Sequence, residues 1–325
     1  MSIIERATQR LAELKNAGIG IPDGMLTEEE LAGVRAPAPM PAPVRGLGTE
    51  GKAGRPASPF LTREPAAEPG TQSATPSRTS SQVTVDLHRL RLAGMITPDA
   101  PRSRLASEFR VIKRPLIKNA SGQSASPLHR SNIIMVTSST PQEGKTFVAL
   151  NLAMSIAMEV DKTVLLVDGD VISPDVLPRL GLENRKGLTD LIASPGLDVS
   201  EVLLKTNIER LTLLPAGTAH ERSSELLTSE AMGRLIEELA ARYPDRIVIF
   251  DSPPLLATTE ARVLAAHVGQ VVLVVHADRT SQGSVRESLA LLEQCPVVCT
   301  VLNGAAESPL GSYYGYSHAT DQNQA

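Results

Sequence analysis

From Asn132 onward the apolar positions fall in short unbroken runs instead of alternating with polar ones. "NIIMVTS", "TVLLVD", "RLTLLPAG", "RIVIFDSPP", "QVVLVVHA" and "CPVVCTVLN" are each strand-sized and rich in β-branched residues. Continuous apolar strands are buried on both faces, the signature of parallel sheets covered by helices. Between them, "KTFVALNLAMSIAMEV" and the stretches 223–241, 259–267 and 281–294 carry helical spacing. The pattern predicts an α/β fold of three layers with a mostly parallel sheet. In such sheets ligands sit at the carboxyl ends of the strands.

The preceding residues are less regular. In "SRLASEFRVIKRPLI", Leu105, Phe109, Ile112 and Leu116 recur at helical spacing, while Arg104, Arg110, Lys113 and Arg114 occupy the other face. This reads as a surface helix with a solvated basic face. "VTVDLHRLRLAGMITPDAP" is a short apolar segment ending in a turn. Residues 1–18 form a candidate amphipathic helix, with Ile3, Ile4, Ala7, Leu11 and Leu14 near one face. Residues 19–82 read as a linker, most dense in "APAPMPAPVRG", whose composition favours extended chain and holds too little apolar surface to offset ordering. The expected organisation is a helix at 1–18, a largely disordered linker at 19–82, a folded domain at 83–310 with its core at 130–305, and a flexible tail at 311–325.

Composition changes this picture in one place. The 325 residues include only four tyrosines, four phenylalanines and no tryptophan, yet Tyr313, Tyr314 and Tyr316 all fall in the tail. The formal charge of −4 gives no reason to expect a nucleic-acid partner. Runs such as Val271–Val275 are too short to cross a bilayer, and "MSIIERATQR" has no secretory apolar region, so a cytoplasmic protein is expected. Cys295 and Cys299 flank a short apolar run without other metal-ligating residues nearby, which reads as a pair of reduced thiols.

The chemistry is concentrated after the first strand. Ser139–Thr146, "STPQEGKT", matches the phosphate-binding pattern G-x-x-x-x-G-K-[ST] with Ser139 in place of the first glycine. A loop leading into a helix offers backbone N–H groups and a positive helix end to phosphates. Ser139, Thr140, Pro141, Gln142, Glu143, Gly144, Lys145, Thr146 and Phe147 are the candidate nucleotide-binding residues. Gly144 permits close approach, Lys145 reaches the β- and γ-phosphates, and the Thr146 hydroxyl is placed for Mg²⁺. "LLVDGD" ends a strand with Asp168 and Asp170 on alternate positions, and "IVIFDSPP" ends another with Asp251. A lone strand-end carboxylate is commonly a cap or turn residue. Three beside a phosphate loop are more simply read as an ATP site with Mg²⁺, some of them acting through water or as a base.

These segments, in this order, resemble the extended family of deviant P-loop ATPases and within it the bacterial tyrosine kinases (BY-kinases). The similarity runs from about Leu105 to the C-terminus and includes Pro141, "LLVDGDVISP", "FDSPP", "LPAG" at 214–217, "SSELL" at 223–227, "VLNG" at 301–304 and the tyrosine-rich tail. "MSIIERA" and "EFRVIKRPLI" look most like the soluble autokinases of exosortase-associated exopolysaccharide systems. The resemblance implies a P-loop kinase domain and an ATP- and Mg²⁺-dependent protein-tyrosine autokinase. Tyr313, Tyr314 and Tyr316 would be the acceptors. It implies Lys145, Asp168 and Asp170 as catalytic residues, Asp168 orienting or deprotonating the attacking hydroxyl. Thr146, Asp170 and Asp251 would serve the metal. Asn303 would contact adenine, although an ordinary strand-end asparagine fits it as well. The implied partners are other copies of the chain and a separate membrane protein of the polysaccharide co-polymerase type, which would recruit the kinase to the inner face of the cytoplasmic membrane. Two positions depart from the family: Ile172 stands where arginine is usual, and Ser107, Arg110 and Lys113 replace the Glu-x-x-Arg-x-x-Arg of its self-assembly helix. Thr140 takes the place of the extra lysine of the chromosome-partitioning and division-site branch. That branch supplies the alternative reading, a nucleotide switch that binds a partner without modifying tyrosine.

Overall fold

The computed structural model describes residues 80–124, 127–242 and 245–306. The helix expected at 1–18, nearly all of the linker, Tyr243 and the tail with Tyr313, Tyr314 and Tyr316 lie outside the described residues.

All six expected strands form: β2 (Ile133–Ser138), β3 (Thr163–Asp168), β5 (Leu211–Leu214), β6 (Arg246–Asp251), β7 (Gln270–His276) and β8 (Val298–Asn303). Two further strands of three residues each, β1 (Ser81–Val83) and β4 (Leu204–Thr206), extend one side of the sheet. Ser81 and Gln82 pair with Leu204 and Lys205. The eight strands run in the order β1-β4-β5-β3-β6-β2-β7-β8. Every neighbouring pair is parallel except β4 and β5.

The two-residue period of the strands sorts their side chains between two cores. Ile134 and Val136 of β2, with Val164 and Leu166 of β3, join one core, while Ile133, Met135, Leu165 and Val167 join the other. The first core is covered by α1 (Leu87–Leu92), α2 (Arg104–Ala120) and α3 (Lys145–Ala157), through residues such as Leu90, Phe109, Leu116, Leu152 and Ile156. The second is covered by α5 (Leu188–Ala193), α7 (Ser223–Leu227), α8 (Glu230–Arg242) and α9 (Thr259–His267). Short helices α4 (Val176–Arg179) and α6 (Val199–Val202), and α10 (Gln282–Leu291) after β7, complete the order. Helix α3 is buried at every position from Val148 to Ala157, so it lies against the sheet with no solvent face.

Two helical expectations are corrected. The stretch 223–241 is divided between α7 and α8, because Thr228 turns its hydroxyl onto the Ser224 and Glu225 carbonyls and Ser229 onto Leu226. Such side-chain bonds compete with helix continuation. In α2, Lys113 does not belong to a solvated basic face. It is buried, and its ammonium donates to the Ser155 carbonyl at 2.5 Å and pairs with Glu159 at 2.7 Å. The cation therefore meets the carboxyl end of α3, where free carbonyls and the helix dipole favour it.

Candidate nucleotide-binding site

Strands β2, β3 and β6 are neighbours, so their carboxyl ends bring the three sequence motifs together. The register pairs Asp168 with Asp251 across β3 and β6. Gly169 permits the close approach: its N–H donates to the Asp251 carbonyl at 2.7 Å, and a side chain there would press on that carbonyl. The "DSPP" segment is stitched to the end of β2. The N–H groups of Ser252 and Leu255 donate to the carbonyls of Val136 and Ser138, and the Thr137 hydroxyl donates to Pro253.

The phosphate loop runs from Ser139 to Gly144 and delivers Lys145 and Thr146 as the first residues of α3. Gly144 has φ +96°, and a β-carbon there would collide with the Asn303 amide, so both backbone and space require glycine. Ser139 is accommodated in the first position because its hydroxyl is used: it accepts from Ser288 of α10 at 2.9 Å in a buried contact.

Pro141, Gln142, Gly144, Lys145, Thr146 and Asp170 line a cleft of about 590 Å³, together with Ile172–Asp175, Arg179, Pro253, Pro254, Ala257 and Thr258. Lys145 pairs with Asp170 at 2.8 Å, and the other Asp170 oxygen accepts from the Ser173 N–H. Asp168 and Asp251 lie beneath, 1% and 0% exposed. One Asp168 oxygen accepts from the Val176 N–H, while its other oxygen and both Asp251 oxygens have no hydrogen-bond partner. Burial, reinforced by the Asp251 charge, pushes Asp168 up to about 8. Burial likewise raises Asp251 to about 6, against the opposing pull of Lys145 and the neighbouring Thr146 hydroxyl. Burial disfavours the Lys145 ammonium, but Asp251, Asp170 and Asp168 together outweigh it and raise its pKa.

Orphaned, buried carboxylate oxygens beside a threonine hydroxyl form a hard-oxygen donor set of the kind Mg²⁺ takes. Asp251 and Thr146 fit that role as they stand. Asp170 is already engaged, one oxygen by Lys145 and the other by the Ser173 N–H.

Not every expected residue faces the cleft. Ser139, Thr140 and Glu143 are turned into the loop, where Glu143 accepts from the Ser139 N–H and the Thr140 hydroxyl. Phe147 and Asn303 line a separate groove of about 500 Å³ between α2 and the end of β8. The Asn303 amide donates to the Glu143 carbonyl at 3.0 Å, so it braces the loop from behind. Thr280 and Ser288, which contact Glu143 and Ser139, carried no signal in the sequence; they lie in an ordinary loop after β7 and in the second half of α10.

The fold and loop define a P-loop NTPase-like domain. No protein-family model matches the chain. It is 31% identical over 229 residues to the tyrosine-protein kinase YwqD of Bacillus subtilis, covering 70% of this chain and 92% of that protein. It is 33% identical over 198 residues to the tyrosine-protein kinase wzc of Salmonella typhimurium, covering 59% of this chain. Identity is 31% over 229 residues to the succinoglycan biosynthesis transport protein ExoP of Rhizobium meliloti, covering 69% of this chain and 28% of that protein. Among solved structures, the kinase domain of the Escherichia coli tyrosine kinase ETK superimposes with a TM-score of 0.56 at 26% identity, covering 74% of this chain and 94% of that domain. The chain belongs to the bacterial tyrosine kinases. It spans 27% of the length of the Salmonella relative.

Proposed function

We propose that the chain is an ATP-dependent protein-tyrosine kinase that phosphorylates its own C-terminal cluster, Tyr313, Tyr314 and Tyr316, in the control of exopolysaccharide or capsule assembly. The observation that carries this reading is the Lys145–Asp170 pair standing over two buried, under-partnered carboxylates at the mouth of a phosphate loop. Family membership supports tyrosine as acceptor, and the name of the Rhizobium relative supports polysaccharide as context.

Phosphoryl transfer is governed by positioning and charge stabilisation. Lys145 would exchange Asp170 for the β- and γ-phosphates, while the backbone of residues 141–146 surrounds them. Thr146 and Asp251 would hold Mg²⁺, with Asp170 joining once released. When bound there, Mg²⁺ neutralises charge on the phosphate oxygens. The tyrosine oxygen then bonds to the γ-phosphorus, the bond from that phosphorus to the bridging oxygen breaks, and ADP leaves. Asp168 accepts the phenolic proton; a carboxylate titrating near 8 is well matched to that task at neutral pH. Phe147 and Asn303, in the groove behind the loop, would meet the nucleoside end.

The proposed partners are other copies of the chain and a separate membrane protein supplying an activating segment. Among the described residues no helix is long and apolar enough to cross a membrane. In the proposed organisation the kinase domain ends near residue 310 and the tail is its substrate.

The test is incubation with ATP and MgCl₂, with an activating partner present, followed by phosphosite mapping of the unsubstituted chain and Lys145→Ala. Phosphate on the tail tyrosines that disappears in Lys145→Ala is expected. ATP hydrolysis without phosphotyrosine, unchanged when all three tail tyrosines are phenylalanine, would favour the nucleotide-switch reading instead.

A further inference from the structure

One buried carboxylate of the loop has no part in the reaction. Glu143 is 3% exposed, and among the described residues no cationic side chain pairs with it. Burying an unpaired carboxylate is costly unless several donors converge on it. Here they do. One oxygen accepts from the Ser139 N–H at 2.8 Å, and the other accepts from both the Thr140 hydroxyl at 2.7 Å and the Thr280 hydroxyl at 2.8 Å. The Thr280 hydroxyl is itself oriented by the His276 N–H at 2.9 Å, and the Glu143 carbonyl accepts from Asn303. One residue of the loop is thus tied to the loop's own start, to the turn after β7 and to the end of β8.

Two features argue that these ties serve ligand binding. Gln142, just before Glu143, has left-handed backbone at φ +65°, a shape that a residue with a side chain keeps only where neighbours enforce it. In addition, a negative charge inside a loop built for phosphates opposes the ligand by simple repulsion. Its retention is explained if the geometry it imposes is worth more to binding than the repulsion removes.

We propose that Thr280 is a positioning residue for nucleotide. Its hydroxyl, oriented by His276 and donating to Glu143, holds the phosphate loop in a receptive shape before the ligand arrives. The inference rests on the reading of this loop as a nucleotide site and adds to it a residue that touches neither phosphate nor metal. Losing a hydrogen bond to a charged acceptor predicts a loss of roughly tenfold to a hundredfold in Mg·ADP affinity for Thr280→Val. Thr280→Ser, which keeps the hydroxyl, should bind within about twofold of the unsubstituted chain on the same scale.

The experiment is calorimetric titration of Mg·ADP into the full chain and these variants, with apo melting temperatures recorded alongside. A second arm repeats Thr280→Val in a Glu143→Met background, which removes the acceptor, so the further effect of Thr280→Val should fall well below that seen alone because the two share one interaction. Unchanged affinity in Thr280→Val, equal losses in the serine and valine variants, or full additivity with Glu143→Met would each overturn the proposal. A fall in melting temperature with affinity intact would show a purely structural role. Failure of the unsubstituted chain to bind Mg·ADP would overturn both this proposal and the nucleotide site. Binding without tyrosine phosphorylation would overturn the kinase reading alone.

Discussion

Asp168 and Asp251 stand opposite each other on adjacent strands, and burial holds both as weaker acids than usual. The consequence for stability has a definite sign. Between the ordinary aspartate range and the folded values of about 6 and about 8, the folded chain binds more protons than the unfolded one. Their contribution to stability is therefore intact at low pH and is lost as pH rises through those values. In EDTA without nucleotide, thermal melts from pH 5 to 8.5 should show Asp168→Asn flattening this decline and melting on the order of 5 °C higher at pH 8. A less stable asparagine variant at pH 8 would instead mean that Asp168 is ionised and productively paired. Gly144 gives a second prediction: Gly144→Ala should lower Mg·ADP affinity by roughly tenfold or more in a calorimetric titration, because left-handed backbone and contact with Asn303 both resist a side chain. The loop and its aspartates were legible because their meaning lies in spacing along the chain. The inward turn of Glu143 was not, since one of the two hydroxyls that hold it belongs to Thr280, 137 residues away.

At the level of elements, legibility followed length and burial. The six longer strands stood out as unbroken apolar runs. β1 and β4, three residues each, are too short for any period to show, and only pairing across the sheet creates them. Helix α2 was placed by its apolar spacing, yet one of its basic residues was assigned to the wrong environment. Charge pattern alone puts a lysine at the surface, whereas Lys113 finds acceptors at the end of α3. This lysine also occupies the third position of the expected self-assembly pattern, while Arg110 of the same helix donates to the Pro101 carbonyl. Lys113 thus serves the internal packing of α2 on α3. Lys113→Met keeps the apolar stem but leaves the Ser155 carbonyl unmet, with an expected loss of about 1–3 kcal/mol in urea denaturation. If such a variant formed the same oligomers as the unsubstituted chain in analytical ultracentrifugation, assembly would be independent of this lysine, as its burial predicts.

For the molecule as a whole, the proposed substrate is carried on the enzyme's own chain, so the order of the reaction is measurable. A variant with all three tail tyrosines replaced by phenylalanine, mixed with Lys145→Ala, should place phosphate on the Lys145→Ala tail if copies modify one another. Absence of that product, with phosphorylation of the unsubstituted chain independent of its concentration, would assign the reaction to single molecules. The contact between Asn303 and the Glu143 carbonyl bears directly on this. It roots the C-terminal segment against the back of the phosphate loop, and ten residues from Asn303 to Tyr313 span at most about 35 Å of chain. A tyrosine confined to such a radius has an effective concentration on the order of 10 mM around its own site. At micromolar protein, a tail from another copy begins about ten-thousandfold behind in encounter frequency. Exchange between copies would therefore have to be enforced, by an assembly that presents a neighbour's tail to the cleft while the loop screens the resident one.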